Sequence, residues 1–229
     1  MSRKRFSGGE EKNSFSAFSV SDYRKKVSWP GSTQLSPVPA VLVAMKGGRW
    51  GKNVLTVAWT GVACSRPPML TIAVRPERYS YDLLKEAGCF SVNLPTVAMA
   101  KAVDYCGVIS GRERDKFADC KFTEEPCYTV DAPMIAESPL VLECSVHEIL
   151  ELGSHHLFVA KIEQVCAAEC LLDVDGRLAL EQAGLLCYLH GHYFEVGKAI
   201  GHFGFSVRKK KGTPVRLGRG QKKKIETRS

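Results

Sequence analysis

The sequence lacks the short motifs that mark several common enzyme classes. It contains no G-x-S-x-G nucleophile elbow, no H-E-x-x-H metal motif and no phosphate-binding P-loop. The four glycines of GHYFEVGKAIGHFG, residues 191–204, do not have the G-x-G-x-x-G spacing of a dinucleotide fold. These absences argue against a serine hydrolase, a zincin, a P-loop NTPase and a Rossmann enzyme, and no catalytic acid–base pair stands out.

Long apolar runs and closely paired cysteines are also missing. No apolar stretch reaches about 18 residues, the length that predicts a membrane span. The first residues carry positive charge but no apolar segment of the kind found in a secretory signal. The nine cysteines are odd in number and include no C-x-x-C spacing. We therefore expect reduced thiols, a cytoplasmic location and no metal site.

The sequence does contain a net charge of +8, and this charge is unevenly distributed. Residues 1–37 hold seven Lys or Arg and three Asp or Glu, residues 206–229 hold ten and one, and residues 38–205 hold 15 and 20. The ends are basic, whereas the middle carries −5 (15 − 20). We predict a flexible polar arm over 1–36, a folded domain over 37–205 and a basic tail over 206–229. The tail is either solvated or in contact with nucleic acid or anionic lipid.

Short apolar runs separated by Gly and Pro predict a mostly antiparallel β domain. AVLVAMK at 40–46, NVLTVAW at 53–59 and MLTIAVR at 69–75 are typical of a β-meander. Two longer strands are predicted over 141–150 and 155–167. A closed barrel would hide the edges of such a sheet. The predicted fold is therefore mainly β, with a few short peripheral helices.

Two of those helices have sequence signals at both ends. Ser80 is a candidate N-cap for a helix over Tyr81–Ala87 that ends at Gly88. Thr96 is a candidate cap for a second helix, which stops near Gly107.

Three groups of polar residues are candidates for a binding site. Arg78, Tyr79 and Ser80 stand at a helix start, where free backbone N–H groups and an arginine would suit a phosphate. The spacing alone favours the simpler explanation, in which Ser80 only caps the helix and Arg78 is solvated. CGVISGRERDKF, residues 106–117, is predicted as a long loop that is either functional or a plain charged surface. Adjacent histidines at 155 and 156 point to opposite faces of a strand, so only one of them can face a site.

Six ordered blocks together resemble the flavin reductase-like, FMN-binding split-barrel family, and its flavoredoxin-like branch in particular. The blocks are NVLTVAWTG, SRPPMLTIAVRPERYSYDLL, FSVNLPT, AVDYCGVISGRERDKF, GSHHLFVAKI and YLHGHYFEVGK with GHFGFSVRKK. They extend from about residue 37 to residue 210. The resemblance implies an antiparallel split barrel, a homodimer and FMN bound non-covalently near the dimer interface.

The resemblance also implies which residues contact the flavin. Asn53 and Thr56 lie on opposite faces of an ideal strand, so contact by both would require a bulge or a cofactor that crosses the strand end. The residues that the resemblance assigns to FMN are Asn53, Val54, Leu55, Thr56, Trp59, Arg78, Tyr79, Ser80, Cys106, Gly107, Ser110, Lys116, His155 and Tyr188.

The function implied is that of an FMN-dependent oxidoreductase or electron carrier. NAD(P)H or a protein would donate electrons, and a second flavin, a metal centre or a redox protein would accept them, because the cofactor carries the redox chemistry. Two other readings stay open at this point. One is a basic-tailed β-barrel that binds nucleic acid without redox activity, and the other is a split barrel that no longer uses FMN.

Overall fold

The computed structural model describes residues 21–207, which divide into two units at Ser36 and Pro37. The first unit contains one 3-10 turn, Asp22–Arg24, and the second contains the sheets and α-helices. Residues 1–20 of the predicted arm (1–36) and residues 208–229 of the predicted tail (206–229) lie outside the described residues. No α-helix between residues 21 and 207 is long and apolar enough to cross a membrane.

Short strands dominate the second unit. Its α-helices are α1 (Tyr79–Ala87), α2 (Ala100–Val108) and α3 (Lys116–Cys120). Its strands are β1 (Val38–Pro39), β2 (Val41–Lys46), β3 (Lys52–Val57), β4 (Thr60–Ser65), β5 (Pro68–Val74), β6 (Cys89–Leu94), β7 (Glu124–Pro126), β8 (Pro133–Ile135), β9 (Leu140–Glu151), β10 (His156–Ala167), β11 (Leu186–Leu189) and β12 (His192–Glu195).

Seven of these strands form one antiparallel sheet in the order β3-β2-β6-β9-β10-β5-β4. A three-stranded sheet, β1-β11-β12, and the β7-β8 pair complete the unit. The long strands β9 and β10 change register twice along their length, and such bulges bend a sheet. The prediction of a mainly antiparallel β domain with a few short helices is confirmed.

Apolar side chains pack on both faces of β2 and β3. Val43 and Leu55 belong to a core cluster that also contains Ile72, Phe90 and Phe158. The opposite faces of the same two strands contribute Ala44 and Val54 to a second cluster, which α2 and α3 cover with Val103, Cys106 and Phe117. Strand β3 therefore has little free surface except near its ends.

Several predicted boundaries are wrong, and each has a local cause. Helix α1 begins at Tyr79 with the backbone of Arg78 as its N-cap, so Ser80 lies inside the helix and does not cap it. The predicted end of this helix is confirmed, because Gly88 has the left-handed φ of 63°. The predicted end of the second helix near Gly107 is also confirmed, because α2 ends at Val108. Its predicted start is wrong, because Thr96 precedes a 3-10 turn, Val97–Met99, and α2 begins only at Ala100.

The long loop predicted over 106–117 is shorter than expected, because α2 takes its first residues and α3 takes its last. Asp115 caps α3 by accepting hydrogen bonds from the backbone N–H groups of Phe117 and Ala118. Strand β4 was not expected, since its sequence TGVACS contains small and polar residues that resemble a turn.

Candidate functional site

A cleft of about 400 Å³ lies where β3 and β5 end, next to α2, the first residues of β10 and the β11-β12 turn. Its volume is within the range of small-molecule and cofactor sites, about 300–1,000 Å³. The cleft is lined by Ala40, Leu55, Thr56, Val57, Ala58, Trp59, Ala73, Val74, Arg75, Arg78, Asp104, Gly107, Val108, His155, Tyr188, Gly191 and Tyr193.

Half of the residues assigned from the resemblance line this cleft, and half do not. Those in the lining are Leu55, Thr56, Trp59, Arg78, Gly107, His155 and Tyr188. The others, which the structure places away from the lining, are Asn53, Val54, Tyr79, Ser80, Cys106, Ser110 and Lys116. Most side chains of the second group already make hydrogen bonds or core contacts within the protein.

The Asn53 side chain forms part of the contact between β3 and α1. Its side chain is 4% exposed, and its Nδ2 donates to the Ser80 Oγ at 2.8 Å. The same amide lies against Gly111, where an added Cβ would come within 2.2 Å of the Asn53 Oδ1. Ser110, the neighbour of Gly111, accepts a hydrogen bond from the backbone N–H of Arg112 at its own Oγ.

The other face of β3 meets α2. The Thr56 hydroxyl donates to the Val103 carbonyl, and Gly107 of α2 packs close to Thr56, since a Cβ on Gly107 would lie 3.4 Å from the Thr56 Cβ, at ordinary contact distance. Val54 is fully buried beside Val103 in the second core cluster. Thr56 therefore reaches the cleft wall without a bulge in β3.

Lys116 is a buried cation that satisfies backbone carbonyls. It is 4% exposed, and its Nζ donates to the carbonyls of Val54 and Cys106, each at 2.9 Å. Burial lowers the pKa of this amine, and the Arg78 charge acts in the same direction. Tyr79 is likewise engaged, since its hydroxyl accepts from the backbone N–H of Arg49 at 3.0 Å.

Part of the cleft lining is basic. Arg75 and Arg78 both line the cleft, and Arg75 also makes an exposed ion pair with Glu77 at 3.5 Å. The pKa of the His155 imidazole is lowered, first by partial burial and then by the positive charge of Arg75. The first turn of α1 starts beside Arg78 and adds backbone N–H groups without helical partners. This part of the cleft therefore suits an anionic group.

A second part of the cleft lining is aromatic. Trp59 and His155 lie with ring centroids 4.5 Å apart and ring planes tilted by 37°. His156 points the other way, where its Nδ1 is 2.7 Å from the Tyr81 hydroxyl and its ring meets Tyr81 edge-on. Of the two histidines, His155 is the one that lines the cleft.

A third part of the cleft lining is polar and acidic. The Tyr193 hydroxyl donates to the Asp104 Oδ1 at 3.3 Å, and the rings of Tyr188 and Tyr193 have centroids 5.4 Å apart. Burial and the Asp104 carboxylate raise the pKa of Tyr193 to about 12, so this phenol stays protonated at neutral pH. An elongated ligand with an anionic end, a flat ring and hydrogen-bond donors would match the three parts of the cleft.

Sequence reasoning missed Arg75, Asp104, Gly191 and Tyr193. Arg75 had a usable signal, since it shares the segment RPER with Arg78 at the end of a predicted strand. Asp104 and Tyr193 had none, because their partnership joins α2 to a strand 89 residues further along the chain.

The comparisons with known proteins identify the family and the fold of this chain. The family model described as "Flavin reductase like domain" matches residues 28–197. Flavoredoxin of Desulfovibrio vulgaris is 29% identical, with a TM-score of 0.74 over 80% of this chain and 100% of that chain. An FMN-binding protein from Thermus thermophilus is 27% identical, with a TM-score of 0.63 over 76% of this chain and 94% of that chain.

Curated relatives match over a smaller share. An uncharacterised protein of Archaeoglobus fulgidus is 34% identical over 53% of this chain and 68% of its own length. Across the first three such relatives, the match spans 57% to 68% of the relative. The fold is the antiparallel split barrel, and the chain belongs to the flavin reductase-like domain family.

Proposed function

We propose that this chain is an FMN-dependent oxidoreductase that binds the cofactor non-covalently in the cleft between β3, α2 and the start of β10. The observation that carries the proposal is the set of groups that one cleft brings together: two arginines, aromatic rings and a carboxylate. This set matches the phosphate, the ring system and the donor-bearing edge of FMN. The family match also supports the proposal, because the matching family model is described as a flavin reductase like domain.

The phosphate would be held by Arg78 and Arg75. Both residues line the cleft and a neighbouring groove, and charge-assisted hydrogen bonds from arginine to phosphate are among the stronger polar contacts in proteins. The first backbone N–H groups of α1 add donors without adding charge. In this arrangement Ser80 supports the site indirectly, because it anchors Asn53 and so fixes β3 against α1.

The ring would lie against Trp59, His155 and Tyr188, while Asp104 would accept a hydrogen bond from an N–H group at the ring edge. When bound, FMN supplies the ability to accept a hydride and to pass electrons on. The chain's contribution is to position the ring, to exclude water with aromatic surface and to set the local charge. His155 would stay largely neutral at neutral pH, since burial and Arg75 lower its pKa.

We propose NAD(P)H or a redox protein as the electron donor, and a second flavin, a metal centre or a protein as the acceptor. We propose that Trp59, which lines the cleft and is 44% exposed, limits which of them reaches the flavin. A nucleic-acid-binding function is not favoured, because residues 38–205 carry a net charge of −5 (15 − 20) and the family match covers that part of the chain.

We also propose a homodimer as the working form. A second groove of about 250 Å³ is almost wholly apolar and is lined in part by Pro39, Leu94, Leu185 and Val196. After β12 the chain carries exposed apolar side chains, among them Ile200 at 90% and Phe203 at 106% exposure. Apolar surface of this kind is typical of a protein interface.

The experiment that tests the proposed function is the absorption spectrum of the purified protein with and without added FMN, followed by NAD(P)H oxidation. We expect a bound flavin spectrum that survives desalting, and cofactor-dependent NAD(P)H oxidation when an acceptor is present. A colourless protein that fails to retain added FMN would contradict the proposal. Retained FMN without NAD(P)H oxidation would support the cofactor and point to a protein donor.

A further inference from the structure

Two cysteines lie in contact directly beside the cleft wall. The Sγ atoms of Cys106, in α2, and Cys120, in α3, are 3.8 Å apart. Cys106 immediately precedes Gly107 and Val108, which line the cleft. Both cysteines are free thiols in the structure, and neither has a place in the proposed chemistry of the cleft.

The two thiols differ in their access to solvent. Cys106 is fully buried in the second core cluster, whereas Cys120 is partly exposed. A reagent from solvent would therefore reach Cys120 first, and Cys106 would be positioned behind it. This is the arrangement of an attacking thiol and a resolving thiol.

The surrounding structure allows the short movement that a disulfide requires. A disulfide needs its sulfur atoms about 2.05 Å apart, so the pair must close from 3.8 Å. Cys120 is the last residue of the five-residue helix α3, and Lys121 turns the chain there with a φ of 57°. The Lys116 amine at the start of α3 donates to the Cys106 carbonyl in α2, so the two helices are held together and a small shift at the end of α3 would close the pair.

We propose that Cys106 and Cys120 form an oxidisable dithiol, and that hydrogen peroxide converts it into an intramolecular disulfide that ties α2 to α3. In the first step the Cys120 sulfur attacks one peroxide oxygen, the O–O bond breaks, and Cys120 becomes a sulfenic acid as one water leaves. In the second step the Cys106 sulfur attacks the Cys120 sulfur, the S–O bond breaks, and a second water leaves. The two thiols lose two electrons and two protons, and one peroxide becomes two waters.

Burial raises the pKa of both thiols, which keeps them protonated at neutral pH. Because the thiolate is the nucleophile, the oxidation is slower than at an exposed cysteine. The test is therefore made at mildly alkaline pH. The disulfide does not depend on bound FMN, so its test is independent of the proposed function.

The experiment is peptide mapping of the full-length protein after reduction, peroxide treatment in the native state and alkylation of the remaining thiols. Trypsin places the two cysteines in separate peptides, 102–112 and 117–121. We expect a linked pair of these peptides, about 2 Da lighter than the sum of the two because two hydrogens are lost. Treatment with a thiol reductant should release both peptides.

Two variants are the controls. Cys120→Ser should give no linked pair and leave Cys106 open to alkylation after unfolding, whereas Cys170→Ser, which removes an exposed cysteine, should give the same linked pair as the wild type. The proposal is overturned if peroxide leaves both peptides fully alkylated, oxidises Cys120 without linking it, or links either cysteine mainly to another thiol. A linked pair that also dominates in urea-unfolded protein would contradict it too, because the folded contact would then play no part.

Discussion

At the scale of single residues, the sequence identified polar groups but not their partners. Asn53 and Thr56 seemed to compete for one ligand from opposite faces of a strand. In the structure Asn53 bonds Ser80, and Thr56 bonds the Val103 carbonyl while lining the cleft. Lys116 looked like a cation for an anionic ligand, yet it donates to two carbonyls. A lysine that satisfies buried carbonyls and a lysine that binds a ligand look the same in the sequence, because only their surroundings in the fold differ.

Gly111 provides a residue-scale test of the Asn53 contact. Gly111→Ala would place a Cβ 2.2 Å from the Asn53 Oδ1, so the buried amide would have to move and its bond to Ser80 would weaken. We expect a loss of about 1–3 kcal/mol in the free energy of unfolding, measured by urea denaturation. Gly61→Ala is the matched control, because nothing lies within 4 Å of its Cβ position. Equal stability of the two variants would contradict the contact.

At the scale of elements, strands were predicted correctly where apolar and polar residues alternate clearly. A helix was missed where its capping residue lies within a run of charged residues. The long strands predicted over 141–150 and 155–167 appear as Leu140–Glu151 and His156–Ala167. Helix α3 was missed because its cap, Asp115, follows a run of charged residues that resembles a surface loop. Side-chain caps add about 1 kcal/mol to a helix, which is enough to form one short turn when Phe117 also packs into the core.

Asp119 provides an element-scale test, since it joins α2 to the loop before α3. Its carboxylate receives two hydrogen bonds from Arg114, each at 2.8 Å, and a third from the Tyr105 hydroxyl. Arg114 and Tyr105 lower the pKa of Asp119 from 3.8 to about 2. A depressed carboxyl pKa gives stability that is present above 3.8 and is lost as the pH falls through about 2.

We therefore expect Asp119→Asn to lose part of the wild-type stability at neutral pH and to show a weaker decline between about pH 4 and pH 2. The measurement is the urea midpoint at several pH values in that range. Asp175→Asn, in an exposed turn, is the comparison for the loss of one surface carboxylate. Parallel pH profiles for wild type and Asp119→Asn would show that these bonds add nothing to stability.

At the scale of the whole molecule, the cleft could not be assembled from local patterns. It brings together residues as distant in sequence as Thr56 and His155, and this depends on a strand order in which β6 lies between β2 and β9. The resemblance to the split-barrel family predicted the fold, and with it this strand order. The alternation of apolar residues alone predicted only the individual strands. Asp104 and Tyr193 remained hidden for the same reason, since only the folded chain makes them neighbours.

The proposed dimer gives a prediction at this scale. We expect light scattering coupled to size exclusion to give twice the mass of one chain, and the double variant Ile200→Asp, Phe203→Asp to shift the protein towards monomer, because charges are costly in an apolar interface. Val174→Asp is the control, since Val174 is also fully exposed, at 104%, but lies in a turn that precedes β11 and not in the segment after β12. A wild type that is monomeric at all concentrations, or an equal effect of the control, would contradict the dimer.

The central claim is that Arg78 marks the phosphate end of a flavin cleft, and one comparison tests it most directly. The dissociation constants of FMN and of riboflavin, which lacks the phosphate, are measured for the wild type, for Arg78→Ala and for the exposed control Arg177→Ala. The wild type and Arg177→Ala should favour FMN, and Arg78→Ala should lose about tenfold or more of that preference, since a hydrogen bond to a charged group contributes about 1.5–3 kcal/mol. Riboflavin affinity should change little in all three. An unchanged preference for FMN in Arg78→Ala would contradict the placement of the phosphate and, with it, the orientation of the cofactor in the cleft.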